Sequence, residues 1–158
     1  MELQKIASFQ VDHTTLFPGI YLSRVDGDAY TYDIRMKRPN HGDYLSTGAA
    51  HTLEHLFATY ARPSALSERI IYVGPMGCRT GFYLIVRNVD TQGVISLVQD
   101  AFAFMAAFDG DIPGATEKEC GNYLDQDLPD ARLQAHAFSE VIKNWLPEMT
   151  EYTFHTAQ

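Results

Sequence analysis

G-I-Y-L-S-R-V at residues 19–25 and A-Y-T-Y-D-I-R-M at residues 29–36 set the fold. Both runs are rich in β-branched and aromatic residues in partial alternation, and Asp26-Gly27 between them is a turn dipeptide, so the pair reads as a β-hairpin. R-I-I-Y-V (69–73) and F-Y-L-I-V-R (82–87) read as two further strands. They flank a loop containing Gly74, Pro75, Gly77 and Gly81, and Cys78 lies on that loop.

The intervening segments change period. From Thr47 the apolar residues Leu53, Leu56, Phe57 and Tyr60 recur at helical spacing, Ser46 or Thr47 can cap the start, and Pro63 marks the end. Asp90 or Thr91 opens a second helix with Val94, Ile95, Val98, Phe102 and Met105 on its apolar side, ending near Gly110. Pro129 can start a third, in which Ala131, Ala135, Phe138, Val141, Ile142 and Trp145 mark the buried side. About four strands and three helices predict an α+β fold, an antiparallel β-sheet packed against α-helices, with residues 1–158 forming a single domain.

Composition narrows the function. With 46% hydrophobic residues and nine each of Tyr and Phe, the chain can build a core. A formal net charge of −8 argues against nucleic acid or an anionic membrane as partner, because either requires clustered Lys and Arg, and favours a small-molecule substrate. Met1 to Gln10 holds no apolar signal-peptide core, and the longest apolar run, Ala101 to Phe108, falls far short of the roughly 20 residues of a membrane helix. A cytoplasmic protein is expected. There a disulfide between Cys78 and Cys120 is disfavoured, and both lie in polar or glycine-rich contexts suited to chemistry rather than packing.

The chemistry centres on H-T-L-E-H (51–55). Residues four apart on a helix lie one turn above each other, so His51 and His55 can face one metal ion while Glu54 projects to nearly the same side as a general base. Two His and a Glu also meet on a solvated helix face by chance. Cys120 supplies a third donor from a distant segment and leaves a coordination position open. A closed four-ligand site would need a further donor from Cys78, His13, His41, His136 or His155. Imidazole and thiolate suit Zn, Fe and Co alike. An open-site ion can polarise a carbonyl oxygen, and Glu54 and Cys78 could then move protons at neighbouring carbons. Arg79, the glycine-rich backbone and the ion would favour a Cys78 thiolate, whereas an inert thiol in a tight turn is the plainer alternative.

Together, A-S-F-Q-V-D-H-T (7–14), D-I-R-M-K-R-P-N (33–40), H-T-L-E-H (51–55), G-P-M-G-C-R-T-G-F-Y (74–83) and E-C-G-N-Y (119–123) resemble the S-ribosylhomocysteine lyase family, the LuxS-type synthases of the autoinducer-2 precursor. The resemblance implies cleavage of S-ribosyl-L-homocysteine to L-homocysteine and 4,5-dihydroxypentane-2,3-dione, by aldose–ketose isomerisation and then β-elimination. It implies one divalent metal per subunit, Fe(II) with Zn or Co able to substitute, held by His51, His55 and Cys120. It further implies Glu54 and Cys78 as the acid–base pair, Ser8, His13 and Arg35 as substrate-binding residues, and a homodimer with active sites at the interface. Taken singly, those last three residues read as ordinary surface polar groups. The chain departs from the family pattern at Gln126, where many relatives carry His, and over residues 63–69. Neither departure is expected to touch a metal ligand or proton carrier.

Two rival readings follow from the same residues. An inverted-motif zinc peptidase would use Glu54 as base but would not need Cys78. A structural metal module would have a saturated ion with no open position.

Overall fold

The computed structural model describes residues 1–154, so His155 lies outside the described residues. Strands β1 (Gly19–Asp26), β2 (Ala29–Arg35), β3 (Ile70–Pro75) and β4 (Gly81–Arg87) form one antiparallel sheet in the order β1-β2-β4-β3. Helices α1 (Thr47–Ala61), α2 (Thr91–Ala107) and α3 (Leu128–Ile142) complete the α+β architecture. No helix of the described residues is long and apolar enough to cross a membrane.

The hairpin forms as the alternation requires, with one shift. Asp26 pairs with Ala29, so the two loop residues are Gly27 and Asp28 rather than Asp26 and Gly27. Gly27 takes a positive φ of 61° and Asp28 does not, which is the pattern of a type II′ turn with glycine first.

Alternation then divides the sheet into two faces. Ile34, Phe82 and Leu84 point toward Leu53 and Phe57 of α1 and Phe102 and Met105 of α2, and these residues belong to one continuous core. Asp33 and Arg35 point the other way, yet both are buried, at 1% and 2% exposure. Gly81 faces Arg35 in register, and a Cβ there would meet Ile34 O at 2.1 Å, so only glycine permits this close approach.

The caps of α1 and α2 are among those the sequence offers. Ser46 Oγ accepts from Ala49 N at α1, and Asp90 accepts from Gly93 N at α2. Asp127 accepts from Asp130 N at α3, with Pro129 in the first turn. Two expectations for α3 fail. Val141 is 44% exposed because it lies off the buried stripe of Ala131, Ala135, Phe138 and Ile142. Trp145 is buried but stands beyond the helix, where its Nε1 donates to Ile20 O.

Candidate metal centre and substrate cavity

The spacing of His51 and His55 on α1 stacks their rings edge to face, with centroids 4.7 Å apart. The loop between α2 and α3 crosses this face and supplies three things. Pro113 O lies 2.7 Å from His55 Nδ1, Asp125 O lies 2.8 Å from His51 Nδ1, and Cys120 brings its Sγ to 3.3 Å from His51 Nε2. A carbonyl can only accept, so each imidazole donates from Nδ1, and His51 turns its Nε2 toward Cys120.

Ligand atoms of His51, His55 and Cys120 all lie within 4.8 Å of one another. Two donors on a tetrahedral ion sit roughly 3.5 Å apart, so the 3.3 Å edge and this donor set fit a divalent ion with one position left over. Cys120 is placed by a short turn in which its N–H donates to Thr116 O and Thr116 Oγ1 donates to Glu119 Oε2. Glu54 stands outside the three-residue cluster but shares with His55, Arg62, Pro113 and Gly114 an open groove of about 350 Å³.

Gln126 corrects an expectation. Its carboxamide nitrogen lies 3.2 Å from His51 Nδ1, and its Oε1 accepts from Thr52 Oγ1 at 2.7 Å. Thr52 in turn accepts from Asp127 N, so the departure from the family pattern does touch a candidate ligand. Thr52, through Gln126, and Gly114 also bear on the two histidines, and the histidine spacing marks neither. Gly114 has a φ of +70°, and a Cβ there would stand 3.3 Å from His55 Nδ1. Its mark in the sequence is the Pro113-Gly114 turn dipeptide.

Cys78 belongs to a different cavity, of about 440 Å³, lined by Ser8, His13, Arg35, Thr80 and Tyr83 among others. All four residues expected to touch substrate or carry its protons on this side, Ser8, His13, Arg35 and Cys78, therefore come together, but away from the groove of Glu54. Cys78 is an exposed free thiol on the Met76–Arg79 turn. Arg79 closes that turn with φ 59°, a left-handed conformation strained for a side-chain-bearing residue, and is held there by exchanging hydrogen bonds with Leu45. Its guanidinium donates to Leu45 O, and the Arg35 charge is coupled to the Cys78 sulfur.

Arg35 is not a surface group. Its Nε and Nη2 donate to the two oxygens of Asp33 at 3.0 and 2.7 Å, and Nη1 donates to Thr80 Oγ1 at 2.7 Å. Because Thr80 Oγ1 accepts from Arg35, its own proton is available to Cys78 Sγ, 3.1 Å away. Burial alone would lower the Arg35 pKa, but the Asp33 charge and hydrogen bond, with the Cys78 sulfur, outweigh it and raise it. His13 Nδ1 donates to Val11 O at 2.9 Å, which leaves Nε2 as the ring nitrogen available to the cavity.

The family model described as S-Ribosylhomocysteinase (LuxS) matches residues 6–149. Among curated proteins, the chain is 47% identical over 142 residues to the S-ribosylhomocysteine lyase of Clostridium beijerinckii, covering 86% of this chain and 89% of that one. It is 44% identical over 156 residues to that of Clostridium acetobutylicum (95% and 99% covered). For that of Phocaeicola vulgatus the figure is 43% over 157 residues (95% and 98%).

Proposed function

The chain belongs to the S-ribosylhomocysteinase (LuxS) family, and from that premise we propose that it cleaves the thioether of S-ribosyl-L-homocysteine to L-homocysteine and 4,5-dihydroxypentane-2,3-dione. The observation that carries the reading is the His51–His55–Cys120 cluster within a chain that also presents a cysteine surplus to that cluster. A peptidase has no use for Cys78, and a structural ion would take a fourth protein ligand.

His51, His55 and Cys120 would hold one divalent ion, Fe(II) with Zn or Co as substitutes, which supplies Lewis-acid polarisation of a carbonyl oxygen. Aldose–ketose isomerisation moves a proton between neighbouring carbons, and β-elimination removes a carbon-bound proton as the homocysteine sulfur departs. Both steps need a base that can return the proton as an acid, and Glu54 and Cys78 take these roles. Thr80 orients the Cys78 sulfur, and Arg35, His13 and Ser8 bind the polar groups of the substrate.

Glu54 and Cys78 line different cavities of one protomer, so we place the working site at a homodimer interface. There the Cys78 cavity of one protomer meets the metal groove of its partner. Exposed apolar residues along the N-terminal arm and edge strand β3, namely Leu3, Ile6, Phe9, Ile71 and Tyr72, support such a contact. Two cysteines that are both free fit a reducing cytoplasm.

The test is thiol release from S-ribosylhomocysteine by anaerobically purified, Fe(II)-loaded protein, followed with a thiol reagent. Stoichiometric release of homocysteine is expected. No thiol from the loaded protein would sink the assignment.

A further inference from the structure

One buried carboxylate stands behind Arg35. Asp33 is 1% exposed, and its oxygens take the Arg35 fork and a third donor, the Tyr152 hydroxyl, at 2.8 Å on Oδ2. Tyr152 opens the C-terminal 3₁₀ turn Tyr152–Phe154, beyond residue 149 where the family match ends.

Its ring stacks on Tyr21 with centroids 5.0 Å apart and planes 15° from parallel, and its oxygen also has a hydrogen bond with Ser23. Burial first, then the Asp33 charge, raise the Tyr152 pKa, so the phenol keeps the proton it donates. Of Arg35's five N–H groups, three serve Asp33 and Thr80, and the remaining two belong to a guanidinium that lines the Cys78 cavity.

A carboxylate held only by the arginine it is meant to position can tilt together with it. A third donor from another part of the chain fixes the pair to the sheet. We propose that Tyr152 is a positioning residue for the substrate cavity, holding Asp33 and through it the Arg35 guanidinium. This rests on the reading of Arg35 as a substrate-binding group. It assigns a role to a segment of the chain outside the matched family region.

Tyr152→Phe removes the hydroxyl and keeps the ring stack. In the metal-free protein, the Arg35 Nε–H resonance should move and exchange faster with solvent. In the loaded enzyme, KM should rise about 3- to 10-fold with kcat nearly unchanged, a part of one hydrogen bond to a charged group transmitted to binding through Asp33 and Arg35. In an Asp33→Asn background the same change should add little, since the two residues act in series.

A wild-type Arg35 resonance in Tyr152→Phe would overturn the proposal. So would an effect on kcat alone, or an undiminished KM effect in the Asp33→Asn background. If the wild-type protein releases no thiol, the lyase reading fails and the Arg35 resonance alone decides the role of Tyr152. If Asp33→Asn does not fold, the resonance and KM of Tyr152→Phe decide it.

Discussion

His51 and His55 are aimed by backbone carbonyls from a loop that crosses α1, whereas Arg35 and Cys78 are aimed by buried side chains beneath the sheet. The metal half depends on one helix and one loop. The cavity half depends on β2, β4, the Cys78 turn and the C-terminal 3₁₀ turn together. The carbonyl contacts fix ring orientation whatever side chains positions 113 and 125 carry, while the Asp33–Arg35–Thr80 network tolerates few substitutions because each member is buried.

The contrast breaks most sharply on the two cysteines. Cys78→Ala should cut thiol release by about a thousandfold, the scale of a lost acid–base group, with metal content unchanged by elemental analysis. Cys120→Ala should lose the metal, and activity with it. If both variants lost metal, the separation of roles would be wrong.

A second contrast lies in stability. Asp33→Ala would leave Arg35 as an unpaired buried charge and should cost about 3–5 kcal/mol in urea unfolding. Removing His51's imidazole, partly exposed and hydrogen-bonded to a loop, should cost the metal-free protein far less. Gly114→Ala should act on the metal side alone: a strained φ and the 3.3 Å approach to His55 predict a loss of about 1 kcal/mol and several-fold weaker metal retention against a chelator.

The smallest effect concerns the start of α1. The Asp130 carboxyl is held below its ordinary range first by the Gln134 amide and then by the Ser46 hydroxyl. Its folded pKa is therefore below the unfolded one. The stabilisation is complete above about pH 4 and is lost as the pH falls through the folded value. Asp130→Asn should flatten the acid limb of the stability curve by roughly 0.5 kcal/mol, since the group is largely solvated.

How much of this was legible beforehand follows the same divide. The i,i+4 histidines, the caps at Ser46 and Asp90 and the hairpin are local, and local spacing or turn chemistry reveals them. Arg35 looked like a surface cation because alternation says which face it takes, not what covers that face. The coverings are the Cys78 turn and Tyr152, the latter 119 residues from Asp33 in sequence. Gln126 looked remote because its contact with His51 spans 75 residues. Val141 was misplaced because it lies one residue off a stripe whose edge the sequence does not mark.

The claim that the two halves meet across a dimer is tested most directly by mixing two inactive variants, Cys78→Ala and Glu54→Gln, under subunit exchange. If one protomer's Cys78 serves its partner's metal centre, about one quarter of wild-type thiol release should return, because half of randomly paired dimers are mixed and each keeps one of two sites intact. Exchange confirmed by mass spectrometry with no recovery of activity would contradict the account.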